Sequence, residues 1–268
     1  MIRPVLLAVL ATLFLAIGAK AETMKLAVTT SFHNSGLSDI LLPVIKEDTG
    51  LDVQLLVVGT GQALRLGEAG DVDAILVHSR GAEETFVEAG FGTHRREIMY
   101  NDFVLIGPKS NPAGLAAPDG IVAALAQISQ SKATFVSRDD ESGTHKREMS
   151  LWRRAGLNPE NFGPWYNAVG AGMGAALNTA SGLSGHILSD RASWLNFGNK
   201  ADLAILFEGD PLLFNQYAYI PINPKKHPHV KQDPAAQLEN WLVGDRAKGL
   251  INAYTINGEV LFTFNAHP

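Results

Sequence analysis

Three times before Gly90 the chain repeats one grammar, a short apolar run followed by a helix-like segment, and two of the three runs end in a small, hydroxyl-bearing turn. The first run, 25–31, ends in Thr29-Thr30-Ser31 and enters a polar loop over 32–36. Leu37, Ile40, Leu41, Val44 and Ile45 then recur every three to four residues and predict a helix over 37–48, stopped by Thr49-Gly50. The second run, 51–58, closes on Gly59-Thr60-Gly61 before a helix over 62–68. The third, 72–77, precedes a short helix over 83–89. Strands alternating with helices predict a parallel sheet with helices on both faces. Such sheets bind ligands at the carboxyl ends of their strands, which places Thr30, Ser31 and Thr60 on one rim. A lone hydroxyl at such a turn serves as a helix N-cap. Recurrence at equivalent turns points instead to a site.

Further on, a strand over 99–108 stops at Gly107-Pro108, and a Pro-, Gly- and Ala-rich stretch over 109–120 marks passage into a second domain. A helix over 121–129 and a strand over 134–136 lead to Ser137-Arg138-Asp139-Asp140-Glu141-Ser142-Gly143-Thr144-His145, and a helix over 146–155 follows. This is strand, loop and helix start, where free backbone amides suit an anion. Arg138 adds a guanidinium fork, and Ser142 and Thr144 add donors. The competing role for Arg138 is a salt bridge to Asp139, Asp140 or Glu141. Gly170-Ala171-Gly172-Met173-Gly174 opens a helix over 175–180. It lacks the long buried strand of a dinucleotide fingerprint, and bare glycines suit close approach of amides to a ligand. Strands over 184–189, 203–207 and 217–220 and helices over 235–243 and 245–252 complete the chain, which returns to the first domain near 203–207.

Other chemistries find little support. The 268 residues contain no cysteine, which excludes disulfides and Cys-ligated metal centres. The histidines are scattered without ligand spacing, so neither a metal site nor another cofactor is predicted. Ser142 or Ser31 with His145 could make an exported serine hydrolase on paper, but no Gly-x-Ser-x-Gly elbow supports it, and no enzyme is predicted. A formal net charge of −5 disfavours nucleic acid as a partner. Arg3, the apolar run 5–17 and Ala19-Lys20-Ala21 predict a signal peptide over 1–21, cleaved after Ala21, and a periplasmic product.

Several motifs now occur in a recognisable order: Thr29-Thr30-Ser31, Val57-Val58-Gly59-Thr60-Gly61, Gly70-Asp71-Val72-Asp73 with Leu76-Val77-His78, Met99-Tyr100-Asn101-Asp102-Phe103-Val104, Ser137-Arg138 with Ser142-Gly143-Thr144-His145-Lys146, Gly172-Met173-Gly174, Asp190-Arg191 and Glu208-Gly209-Asp210. Together they resemble the tungstate-binding periplasmic proteins of the TupA type, solute receptors of ABC importers. The resemblance covers nearly the whole chain beyond the leader. It implies an α/β, type II periplasmic-binding-protein fold of two lobes joined by two crossover strands. Lobe one would comprise 22–107 plus about 208–268, and lobe two about 108–207. It further implies a tungstate or molybdate ligand, a membrane ABC permease as partner and a monomer. The family's Thr-Thr-Ser stretch and Ser-Arg loop map onto Thr29, Thr30, Ser31 and Arg138. Val28 stands where the family pattern carries a further hydroxyl. By likeness to related molybdate receptors, the helix start at Gly172 and Met173 would offer amides. With Thr60, Ser142, Gly143 and Thr144 these form the predicted ligand set. Phosphate or another small oxyanion remains the alternative ligand, decided by whether Asp139, Asp140 or Glu141 faces it.

Overall fold

The computed structural model describes residues 22–115 and 119–267. The predicted leader and its cleavage point lie outside the described residues. β1 (Glu22–Thr29), α1 (Thr30–Asn34), α2 (Leu37–Thr49), β2 (Leu51–Val58), α3 (Thr60–Ala69), β3 (Ala74–Val77) and α4 (Arg80–Glu88) follow in turn. β1 pairs in parallel with β2 and with β3, as the alternation predicts. All four residues of β3 are buried, the pattern of a strand covered on both faces. α2 buries Leu37, Leu41 and Ile45 along one stripe and ends at Gly50 with φ 74°.

The polar loop predicted over 32–36 is largely helical instead, forming most of α1. Thr29 Oγ1 accepts the Phe32 N–H at 3.3 Å, Ser35 Oγ donates to the Phe32 carbonyl at 2.6 Å, and Phe32 itself is buried in the core. A helix of five residues is too short to show a period, so only its cap was visible in the sequence.

β4 (Arg96–Pro108) is the long strand that joins the two halves. After it come α5 (Ile121–Ser131), β5 (Phe135–Ser137), α6 (Gly143–Arg154), β6 (Tyr166–Ala168), α7 (Met173–Leu183), β7 (His186–Asp190), α8 (Arg191–Asn196), β8 (Leu203–Phe207) and β9 (Phe214–Pro221). α9 (Gln232–Leu242), α10 (Asp245–Ala253) and the short strands β10 (Thr255–Ile256), β11 (Glu259–Val260) and β12 (Thr263–Phe264) close the chain. The main strand order is β2-β1-β3-β9-β4-β7-β5-β6. From Arg96 to Asp102, β4 runs antiparallel to β9; from Phe103 onward its partners are β7 and β8. The first lobe is thus built on β1, β2, β3 and β9. The second is built on β5 to β8, with β5 parallel to both β6 and β7.

The second lobe has an aromatic core. Trp152 is fully buried, with ring centroids of Phe135 at 5.2 Å and Phe162 at 5.0 Å, both edge-on. Where the lobes join, Arg191 donates from Nε and Nη2 to the two oxygens of Asp102 at 2.6 Å each, and Nη2 also reaches Glu208 at 2.5 Å. Arg191 on α8 thereby ties the β4 crossover to the chain segment leaving β8.

Candidate functional site

Three helices of eight or more residues begin around one cleft. α3 starts after Gly59, α6 after Ser142 and α7 after Gly172, each cap residue in extended conformation. Their first-turn amides have no partner within the helix and make these ends attractive to an anion. The cleft encloses about 350 Å³ and is lined by Thr30, Gly59, Gly61, Gln62 and Arg65 from the first lobe. Arg138, Asp140, Glu141, Ser142 and Gly172 line it from the second. A further volume of about 230 Å³ adjoins it, sharing Thr30, Arg138 and Gly172 and adding Ser31, Asn34, Met173 and Ser193 among others.

Arg138 follows β5 directly and is only 6% exposed. Its Nη2 donates to Asp140, its Nη1 lies 3.4 Å from Thr144 Oγ1, and its Nε is buried without a partner. The salt bridge that competes with a ligand role therefore exists, yet it leaves the Nε N–H of this cleft-lining arginine buried without an acceptor. Thr60 Oγ1 is likewise buried and unpartnered, between the cleft-lining Gly59 and Gly61. Buried donors of this kind cost about 1–3 kcal/mol unless something accepts from them. Asp139 and Glu141 are exposed. Asp140 is half-buried; one oxygen holds Arg138 and the other accepts the Ser142 N–H at 3.2 Å.

Behind the cleft lies a hydroxyl network. Ser31 Oγ sits 3.1 Å from Thr29 Oγ1, 3.1 Å from His78 Nε2 and 3.3 Å from the Tyr217 hydroxyl. Burial, with lesser contributions from the Arg138 and Arg147 charges, pushes the His78 imidazole down to about 4, so it is neutral in neutral solution. Burial raises the Tyr217 hydroxyl and the Asp190 carboxyl above their usual ranges. His78 also fixes how the lobes meet. Its ring lies against Gly143, where a Cβ would come within 2.6 Å of His78 Cε1.

The predicted residues thus divide by position. Thr30, Ser31, Arg138, Ser142, Gly172 and Met173 line the cleft or its extension, whereas Thr60 is buried and only its sequence neighbours Gly59 and Gly61 line it. Thr29 caps α1 and supports Ser31; Thr144 supports Arg138; Gly143 is where His78 packs. Ser142 Oγ accepts the His145 N–H at 3.2 Å as the cap of α6, which therefore begins three residues before the predicted helix start at 146. Gln62, Arg65, Asn34 and Ser193 line the cleft without having been singled out, and neither His78 nor Tyr217 had been placed beside Ser31. The only available signal for Arg65 and Gln62 was their nearness to the Gly59-Thr60-Gly61 turn.

A model of the PBP superfamily domain matches residues 16–246. The chain is 44% identical to the tungstate-binding protein TupA of Peptoclostridium acidaminophilum over 90% of this chain and 85% of that one. It is 37% identical to the tungstate-binding protein TupA of Campylobacter jejuni, with 88% of each chain covered. The solved structure of TupA from Desulfovibrio alaskensis superposes with a TM-score of 0.84 at 43% identity, covering 92% of this chain and all of that one. The chain belongs to the TupA family. Its architecture is the type II periplasmic-binding-protein fold, and the family is one of binding proteins of transporters.

Proposed function

We propose that this protein is the periplasmic tungstate receptor of an ABC importer, closing its two lobes over the anion and delivering it to the membrane permease. The observation that carries this reading is the donor set. Arg138 Nε and Thr60 Oγ1 are buried without acceptors at a cleft where three helix N-termini converge. Tungstate is a dianion with no proton at neutral pH, so its pocket should offer donors alone. Thr30, Ser31, Ser142 and the amides at Gly172 and Met173 complete the proposed contacts, with Thr29, Gly143 and Thr144 supporting them. The proposed division of the chain is lobe one, 22–107 plus about 208–268, and lobe two, about 108–207. A monomer, exported after loss of 1–21, accords with a soluble receptor, and no described helix is long and apolar enough to cross a membrane.

Phosphate is the competing cargo, since its protonated form gains from a carboxylate acceptor. Asp140 is the one half-buried carboxylate on the cleft wall, and both its oxygens already accept hydrogen bonds from within the loop. That arrangement favours the unprotonated dianion. Serine hydrolysis is disfavoured as well. The pair closest to a nucleophile and base is Ser31 with His78, but burial pushes His78 down to about 4, which makes it a weak base. Calorimetric titration with tungstate, molybdate, sulfate and phosphate tests the assignment. Tight tungstate binding is expected. Tight phosphate binding with no tungstate heat would refute it.

A further inference from the structure

We infer that Arg65 is a second functional cation of the cleft, recruiting the oxyanion at its mouth while Arg138 holds it inside. This rests on the receptor reading above and adds a residue to it. Arg65 lies on α3, one turn beyond the Gly59-Thr60-Gly61 start, and lines the cleft from the lobe that does not carry Arg138. Its exposed side chain lies along its own helix, where Nε and Nη2 donate to Gln62 Oε1 at 3.1 and 2.9 Å. That grip folds the guanidinium back along its own helix, so that Nη1 lies 3.6 Å from where a Gly61 Cβ would be.

Two features of this placement point to an anion. Arg65 is the sixth residue of α3, but its guanidinium folds back beside Gly61 in the first turn, where the helix's partial positive charge disfavours a cation. The residue that pins Arg65 is moreover a neutral amide, and Gln62 is its only hydrogen-bond partner among the described residues. Arg138, in contrast, is matched by Asp140 in direct contact. Of the two cleft-lining arginines, Arg65 is therefore the one whose charge no carboxylate touches. The remaining cleft-lining carboxylate, Glu141, is exposed on the opposite lobe. An unpaired cation at the mouth of a charged cleft raises the local anion concentration and the association rate, and salt weakens the effect.

The test is stopped-flow association, followed by tryptophan fluorescence, on the wild type, Arg65→Gln, Arg65→Lys and Glu141→Gln. The ligand is whichever of tungstate, molybdate, sulfate or phosphate binds the wild type by calorimetry, at low and at physiological salt. Arg65→Gln should slow association by about threefold to tenfold at low salt and flatten its salt dependence. Arg65→Lys should keep most of the rate, and Glu141→Gln should raise it. Unchanged association in Arg65→Gln would overturn the inference. So would equal, non-additive increases in dissociation alone for Arg65→Gln and Glu141→Gln, which would mark a bridge across the mouth instead. If the wild type binds another oxyanion but not tungstate, the cargo assignment fails while the role of Arg65 is still measured. If no oxyanion binds, both fall.

Discussion

Replacing Gly143 with alanine should separate ligand binding from folding. The added Cβ would sit 2.6 Å from His78 Cε1 and 3.0 Å from its Nδ1, where ordinary contact begins at 3.4 Å. His78 has little freedom to retreat. It is 7% exposed, Nε2 is 3.1 Å from Ser31 Oγ, and its ring centroid lies 4.7 Å from that of Tyr217. Overpacking of this degree costs about 1–3 kcal/mol. His78 follows β3 of the first lobe and Gly143 begins α6 of the second, so in the proposed receptor cycle separation of the lobes would relieve the clash. Gly143 is not in the left-handed region of φ, so alanine strains no backbone there, and within a helix alanine is favoured over glycine. The expected result is a tungstate affinity lowered by about fivefold to 150-fold, with the thermal midpoint of the ligand-free protein unchanged or raised. Calorimetry and ligand-free melting on the same preparation measure both. Affinity within twofold of the wild type, or a ligand-free midpoint that falls, would refute the claim that the His78–Gly143 contact belongs to the closed form.

Arg138→Ala should weaken binding by about 2–4 kcal/mol, read by titration, because it removes a buried charge from the proposed ligand site. His78 has a folded value of about 4, below its unfolded 6.5, so the folded state binds fewer protons between these values. Its contribution is present above pH 6.5 and is lost as pH falls towards 4, by about 3 kcal/mol at most. His78→Gln should therefore lose much of the acid-side decline in melting temperature. Glu148 has the opposite sign. Burial lifts it to about 7 against hydrogen bonds from Tyr166, Ser137 and Trp152, so it supports the fold below its unfolded 4.5 and loses that support as pH rises through 7. Glu148→Gln should flatten the melting profile between pH 5 and 8. Arg191→Ala should destabilise by about 1–3 kcal/mol, seen in chemical denaturation, since it strips both oxygens of half-buried Asp102 of their donor.

What the sequence disclosed follows from the range of the interactions involved. The β-α alternation up to α4 is local, and so were the turns at Thr29-Thr30-Ser31 and Gly59-Thr60-Gly61. Arg138 was legible because a cation directly after a strand end is a local pattern. The surroundings of Ser31 were not: His78 and Tyr217 lie 47 and 186 residues away in sequence, and only the pairing of β3 with β9 brings them together. The role of Asp140 was undecidable for a different reason. Asp139 and Glu141 adopt positive φ, at 47° and 57°, and no rule of residue spacing shows which way a loop folded like that turns its carboxylates. The early start of α6 was masked by Gly143, which reads as a helix breaker but is required where His78 packs.

The course of β4 has a consequence for how the molecule is put together. Asp102, the last residue paired with β9, stands in register with Phe214, the first residue of that strand. The chain thus leaves the first lobe and rejoins it at two neighbouring points of one antiparallel ladder. Topologically, residues 103–213 are an insertion into what would otherwise be a hairpin. The insert also packs on the first body away from those points: Val136, Met173 and Trp194 belong to one buried cluster with Val28, Phe32 and Tyr219, and Asn196 Nδ2 donates to the Asn34 carbonyl at 3.0 Å. Any rotation of residues 103–213 about Asp102 and Phe214 therefore has to work against that shared packing, so the cost of the proposed closure is set by the core between the two bodies as well as by the anion.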